Sequence, residues 1–198
     1  MAGMSTAMSD ARVLRNRTFD ELRIGDTASL SHAVGTADIA LFAAASGDVN
    51  PSHLDSRFAA SDPFGHIVAH GMWSAALVSA VLGTELPGPG TIYLAQDLHF
   101  RKPVAPGDTI TATVNVAKKH TAQHVVKLDT RCVNQRGEEV LAGTATVIAP
   151  REHVEWPRMP APEVALQRHD RYAQLLKEAV ALGALRVAIV HPCSIEGR

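Results

Sequence analysis

The chain has 198 residues, of which 46% are hydrophobic and 20% are charged, and its formal net charge is -1. This composition is typical of a globular protein with enough apolar residues for a core, and it lacks the basic cluster of a nucleic-acid-binding surface. No apolar run follows the N-terminal charges, so neither a secretory signal nor a membrane anchor is indicated. We therefore expect a cytoplasmic protein without nucleic-acid or membrane partners.

The first part of the chain predicts a strand and a helix behind a polar start. Residues 1–17 have no sustained periodicity, and we expect a flexible N-terminus there. Residues 27–34 are predicted to be a strand, and residues 37–46 a helix with apolar residues on one face. Thr36 is the expected N-cap of this helix, and Gly47 is expected to end it.

The next stretch, GDVNPSH, carries an ionisable pair on a loop. Pro51 holds its own φ and favours an extended Asn50, so the Asp48 and His53 side chains can converge on one point. Against apolar walls such a pair could take a proton from water and return it near neutral pH. The alternative is structural, with Asp48 closing a turn and His53 bonding a backbone carbonyl. The residues alone leave both interpretations open.

A short helix of small and apolar residues follows at residues 72–82, with the sequence MWSAALVSAVL. Because a helix that is apolar all round must be wrapped by other structure, we expect a buried central helix that ends at Gly83. Its first amides, near Gly71, have no helical partners and could hold a carbonyl oxygen that gains negative charge. Simple helix entry explains Gly71 equally well. The Ser79 hydroxyl could reach the same pocket or bond back into its own helix.

No metal site is assigned from the sequence. His66 and His70 could be ligands, but no carboxylate or cysteine lies at metal-ligand spacing from them. The two cysteines, Cys132 and Cys193, are far apart and do not indicate a disulfide. We expect Cys132 to be buried in a strand.

The middle of the chain has the two-residue period of strands. The predicted strands are residues 93–101, 109–118, 125–133 and 140–149, with Ile110, Ala112, Val114 and Val116 facing inward. Helices followed by successive strands predict an α+β fold in which a meandering antiparallel sheet lies against a helix.

Beyond the sheet the composition changes twice. Residues 151–163 are predicted to be a proline-rich linker. Residues 164–198 then contain a helical pattern and the apolar run RVAIVH, which are typical of the start of an α/β domain. The closing IEGR is either native sequence or an engineered protease site, and both possibilities stay open.

Three runs carry a resemblance to a known family: FAAASGDVNPSHLD, IVAHGMWSAALVSAVLG and GPGTIYLAQDLHFRKPVAPGDTI. Residues 18–150 resemble the MaoC-like (R)-specific enoyl-CoA hydratases, which have a single hot-dog fold with an antiparallel sheet wrapped around a central helix. The tail from residue 164 is similar to the start of the phosphate acetyl/butyryltransferase domain that follows such a hydratase in bifunctional enzymes. Since only the start of that domain is present, we expect its activity to be absent.

The resemblance implies (R)-specific hydration of trans-2-enoyl-CoA to (R)-3-hydroxyacyl-CoA, without a metal or other cofactor. It implies Asp48 and His53 as the catalytic pair, and the Gly71 amide as the donor to the thioester carbonyl. Ser79 and Asn50 would also contact the substrate. The resemblance further implies a homodimer or a higher homo-oligomer. Candidates for binding the CoA phosphates are Arg101 and Lys102, although exposed basic residues at a strand end are often only solvated.

Two other functions remain. Hot-dog folds also host acyl-CoA thioesterases, which generally use an acidic residue on the central helix, and residues 72–82 contain none. A noncatalytic acyl-CoA-binding module of a larger enzyme is the third hypothesis.

Overall fold

The computed structural model describes residues 13–162 together with Val164 and Glu178. The chain divides into two units, of which the first ends at Pro162. The strands are β1 (Val13–Arg15), β2 (Thr27–Ala33), β3 (Ile92–Phe100), β4 (Thr109–His120), β5 (Val125–Val133), β6 (Glu139–Ile148) and β7 (Glu155–Pro157). The helices are α1 (Thr36–Ser46), α2 (Pro51–Leu54), α3 (Ser56–Ala59) and α4 (Gly71–Thr84).

The main sheet is antiparallel and has the strand order β2-β4-β5-β6-β3. Buried and partly exposed residues alternate along β4, because successive side chains of a strand point to opposite faces of the sheet. This pattern shows which face of the sheet packs on the core. Ile110, Ala112, Val114 and Val116 are all fully buried, as predicted. β5 has the predicted bounds, and its Cys132 is buried. The α+β class, with an antiparallel sheet against a central helix, is confirmed.

The central helix α4 packs one face on this sheet. Val78 and Val81 of α4 are fully buried, and the Cys132 thiol lies 3.7 Å from the Ser74 carbonyl oxygen. The prediction that the helix is enclosed on all sides is wrong for the single chain, because Met72 and Ser79 are exposed. The sheet of one chain is a single layer and covers only one side of the helix.

The end of α4 also differs from the prediction. The helix passes through Gly83 to Thr84, and the amide of Glu85 donates to the Val81 carbonyl. Gly83 therefore lies within the helix, where glycine is less favourable than alanine by about 1 kcal/mol. In the described part of the chain, no helix has both the length and the apolarity needed to cross a membrane.

Helix α1 begins one residue earlier than predicted. Gly35 is its N-cap, and the Gly35 amide donates to the Asp38 carboxylate at 2.7 Å. The Asp38 carboxylate therefore caps the start of α1, and Thr36 is the first residue of the helix and not its N-cap. Gly47 ends α1 as predicted, in the left-handed conformation that favours glycine at this position.

The two ends of the first unit form a separate antiparallel pair, β1 with β7. Arg15 and Glu155 form an ion pair across it, and the Arg17 amide donates to the Pro87 carbonyl at 2.8 Å. The predicted flexible N-terminus over residues 1–17 is therefore wrong for residues 13–17, and part of the predicted linker is a strand. Periodicity could not reveal this pairing because each strand has only three residues. The predicted α/β fragment over residues 164–198 lies outside the described residues, apart from Val164 and Glu178.

Gly143 sets the distance between β6 and the edge strand β3. A Cβ atom at this position would overlap the carbonyl oxygen of Asp97, so an added methyl group must move the backbone. We expect Gly143→Ala to lower the free energy of unfolding by about 1–3 kcal/mol or more, as overpacking does. Urea denaturation measures this change.

Gly83→Ala is the matched control, because a Cβ built at that position meets no atom within 4 Å beyond the adjacent residues and the backbone of its own helix. It is expected to raise the free energy of unfolding by up to about 1 kcal/mol, as alanine does inside a helix. Equal destabilisation by both substitutions would contradict the close approach of β3 and β6.

Candidate active site

The end of α1 places Asp48. Gly47, with φ of 76°, turns the chain out of the helix, and the Asp48 carboxylate accepts a hydrogen bond from the Asn50 amide at 3.2 Å. The turn-closing contact that the sequence left open for Asp48 therefore exists. One such bond leaves most of the acceptor capacity of the carboxylate available. Asp48 is exposed in the single chain, so the apolar walls that we expected around it are not provided by the described residues.

Helix α2 places His53. Asn50 is its N-cap, since the Asn50 side-chain oxygen accepts a hydrogen bond from the Ser52 amide, and Pro51 occupies the first helical position. His53 Nδ1 lies 2.7 Å from the Val68 carbonyl oxygen. Because a carbonyl oxygen can only accept, Nδ1 carries the proton, and in the neutral ring Nε2 keeps the lone pair. The structural contact expected for His53 is thus also present, and it leaves Nε2 free to act as a base.

His70 joins the two residues from the other side. Its ring lies 3.8 Å from the His53 ring between centroids, and its Nε2 donates a hydrogen bond to the Asp48 carbonyl at 2.9 Å. One side-chain ligand atom each from Asp48, His53 and His70 lies within 4.8 Å of the others. The predicted pair therefore does converge, and a third residue, which the sequence analysis considered only as a metal ligand, belongs to the same cluster.

This cluster has the residue types that bind a transition-metal ion. The sequence argument against a metal relied on local spacing, and it missed the approach of His70 to Asp48 because the two residues are 22 positions apart. General acid-base chemistry needs the same residue types. The cluster alone does not choose between these two uses.

The start of α4 borders a cavity of about 310 Å³ beside this cluster. Gly71 is the first residue of α4, so its amide is among those that have no partner within the helix. A Cβ at Gly71 would lie 3.0 Å from the Phe100 ring, so any larger residue would push against this wall. The residues that matter here line the cavity together: His53, His70, Gly71, Ser74, Phe100 and Lys102.

The two serines of α4 face different cavities. Ser79 shares the Met72 face, as predicted, but it lines a second cavity of about 470 Å³ against β3, with Tyr93 and Leu94. The structure therefore does not bring Ser79 into the cavity that contains His53 and Gly71. Buried Ser74 lines that cavity instead. Its position one helical turn after Gly71 is a signal that the sequence analysis missed.

Arg101 and Lys102 line the first cavity just after β3. Lys102 Nζ lies 2.6 Å from a Glu138 carboxylate oxygen, and Arg101 Nε lies 3.8 Å from Glu139. Both basic side chains are about half exposed. They are ion-paired and still accessible, so the structure permits the predicted phosphate contacts without requiring them.

Comparison with known proteins gives one family. A family model described as a MaoC-like domain matches residues 19–136. An (R)-specific enoyl-CoA hydratase from Rhodospirillum rubrum is 45% identical over 132 residues, which cover 67% of this chain and 91% of that protein. A 3-hydroxybutyryl-CoA dehydratase from Methylorubrum extorquens is 42% identical over 139 residues, which cover 70% of this chain and 88% of that protein.

The fold comparison agrees with the sequence comparison. The solved structure of R-hydratase PhaJ1 from Pseudomonas aeruginosa, in the unliganded form, matches with a TM-score of 0.75 and 40% identity. The match covers 78% of this chain and 99% of that chain.

Glu138 anchors Lys102 at this cavity, and it makes the stability of the protein depend on pH. Hydrogen bonds from Asn134, Lys102 and Arg136 lower the pKa of Glu138 to about 2. Since this value lies below the unfolded pKa of about 4.3, the stabilising contribution is complete above that pH and is lost as the pH falls towards 2. We expect Glu138→Gln to lower the urea midpoint near neutral pH and to matter progressively less below about pH 4.

Urea titrations of both proteins between neutral pH and about pH 2.5 measure this difference. An equal gap between the two midpoints at every pH would contradict the depressed pKa of Glu138.

Proposed function

Because the chain belongs to the MaoC-like domain family, we propose that it catalyses the reversible, (R)-specific hydration of trans-2-enoyl-CoA to (R)-3-hydroxyacyl-CoA. The chain has the hot-dog fold of these hydratases, in which a sheet packs on a central helix. One observation in the structure supports the proposal most strongly. A carboxylate oxygen of Asp48 and a ring nitrogen of His53 lie within 4.8 Å of each other, and His53 lines the cavity beside the start of α4.

In the proposed mechanism, a water molecule is held between the Asp48 carboxylate and His53 Nε2. Asp48 takes a proton from this water, and the oxygen attacks C3 of the enoyl group. The electron pair of the double bond moves towards the thioester, whose oxygen gains negative charge and is stabilised by the Gly71 amide. The proton on Asp48 is then transferred to C2 from the same face. Positioned acid-base groups of this kind contribute about 10²–10⁴-fold to a rate.

The remaining groups of the site bind the substrate. Arg101 and Lys102 line the cavity and are about half exposed, and we assign them to the CoA phosphates. We also assign to substrate binding Ser79, which lines the second cavity, and Asn50, whose side chain caps α2. No step of this reaction needs a metal or an organic cofactor.

We also propose that the protein is a homodimer that forms through the exposed side of α4 and the free edge of β3. Both surfaces have exposed apolar residues: Met72 is 54% exposed, and Ile92 and Leu94 of β3 are 56% and 51% exposed. An edge strand with free backbone groups gains hydrogen bonds by pairing with another strand.

A finer proposal comes from the resemblance alone. The tail over residues 164–198 would be the start of a phosphate acetyl/butyryltransferase-like domain, following a hydratase domain over residues 18–150. The protein would also act in the cytoplasm, as its sequence led us to expect. A thioesterase remains the competing activity, and residues 71–84 of α4 contain no Asp or Glu to perform it.

Asp48→Asn tests the proposed chemistry. The amide cannot take a proton from water, so we expect crotonyl-CoA hydration to fall by about 10²–10⁴-fold while the thermal midpoint is unchanged. Loss of enoyl absorbance gives the rate, chiral analysis of the product gives its configuration, and a thiol reagent detects hydrolysis. The assay includes a chelator, which should leave the wild-type rate unchanged.

Asp129→Asn is the matched control, because it removes an exposed carboxylate from the outer face of β5. Near-wild-type hydration by Asp48→Asn would exclude Asp48 from the mechanism. An (S) product, or release of free thiol without loss of enoyl absorbance, would exclude the proposed reaction.

Ala76→Glu tests the dimer. Ala76 is exposed on α4 and lines the cavity against β3, so a carboxylate there would be buried in the proposed interface at a cost of several kcal/mol. We expect the variant to be a monomer by light scattering, whereas Ala122→Glu, the same change at an exposed turn, should leave a dimer. A monomeric wild type, or a dimeric Ala76→Glu protein, would contradict the interface.

A further inference from the structure

We propose that His70 is a positioning residue, which holds the Asp48 loop and the His53 ring in place at the start of α4. The inference rests on the proposed hydratase function and adds a third side chain to its site. His70 is the N-cap of α4, yet its side chain makes no capping hydrogen bond to that helix. The side chain instead contacts two segments that are distant in sequence.

The first contact ties down the Asp48 loop. His70 Nε2 donates to the Asp48 carbonyl at 2.9 Å. Among the hydrogen bonds of the described residues, every other bond made by residues 47–50 joins partners at most four positions apart. The bond to His70 therefore ties residues 47–50 to the residue that precedes the Gly71 amide. The far end of the loop is tied to the same segment by the Val68 amide, which donates to the Ser52 carbonyl at 3.3 Å.

The second contact restrains the catalytic imidazole. The His70 and His53 ring centroids are 3.8 Å apart, and the Phe42 ring of α1 lies 5.0 Å from the His70 ring. His53 is also held through its Nδ1 by the Val68 carbonyl. The adjacent ring, inclined at 35° to His53, and this hydrogen bond together restrict rotation of the His53 side chain, so that its Nε2 keeps one direction.

The surroundings of His70 argue for positioning over a direct part in proton transfer. The residue is only 2% exposed, and its Nδ1 is buried without a hydrogen-bond partner among the described residues. Nε2 already donates to the backbone. One ring nitrogen is thus committed to a backbone hydrogen bond and the other is buried, which favours a structural role of the ring over proton transfer.

Two variants separate these roles. In His70→Gln the amide nitrogen can take the place of Nε2 and donate to the Asp48 carbonyl, but it has no acid-base function. In His70→Leu the volume is similar and the donor is lost. A misplacement of about 1 Å in a catalytic group can cost about 10²-fold, so we expect His70→Leu to lower kcat by about 10–100-fold with little change in KM. His70→Gln should recover most of this loss.

A second readout does not depend on activity. Hydrogen-deuterium exchange of residues 47–53 should be faster in His70→Leu than in the wild type, and close to the wild type in His70→Gln. If the wild type fails to hydrate crotonyl-CoA, the proposed function fails, while the exchange data still test whether His70 holds the loop.

Three outcomes would overturn the proposal. One is a His70→Leu protein with wild-type kcat, and another is unchanged exchange of residues 47–53 in that variant. The third is a His70→Gln protein that is folded and as slow as His70→Leu, which would assign His70 a direct chemical role. Thermal unfolding of both variants identifies a loss that arises from global destabilisation.

Discussion

The packing of α4 on the sheet is the constraint on which the rest of the structure depends. Val78 and Val81 are fully buried against strands whose inward residues are also fully buried, so the helix cannot shift without opening the core. This packing fixes the position of the N-terminus of α4. Gly71 and His70 lie there, and both residues line the cavity that His53 also borders.

The site is assembled from short local motifs and a few long-range contacts. Gly47 and the Asn50 cap shape the loop, whereas Val68 and His70 fix its side chains relative to α4. Local motifs are already formed by nearest-neighbour sterics, so they give the loop its shape at little cost. The long-range contacts fix the position of the loop relative to α4. Chemistry that needs an acid-base pair beside a helix N-terminus requires both kinds of contact.

Much of the sheet could be predicted from the sequence, because β4 and β5 bury alternate residues and the two-residue period reports this directly. The loop with Asp48 and His53 could also be predicted, since Gly and Pro constrain it locally. Three features could not be predicted: the β1–β7 pair, the role of His70, and the fact that Ser74 and Ser79 line different cavities. Each of them depends on which distant segments of the chain come together. The exposure of Met72 was missed for a related reason, since an apolar helix indicates burial but not whether its own chain supplies the cover.

A crystal structure with a bound (R)-3-hydroxyacyl-CoA tests the central claim most directly. The account predicts that the C3 hydroxyl lies between the Asp48 carboxylate and His53 Nε2, and that the thioester oxygen accepts a hydrogen bond from the Gly71 amide. A thioester bound away from the start of α4, or a C3 hydroxyl out of reach of both Asp48 and His53, would contradict it.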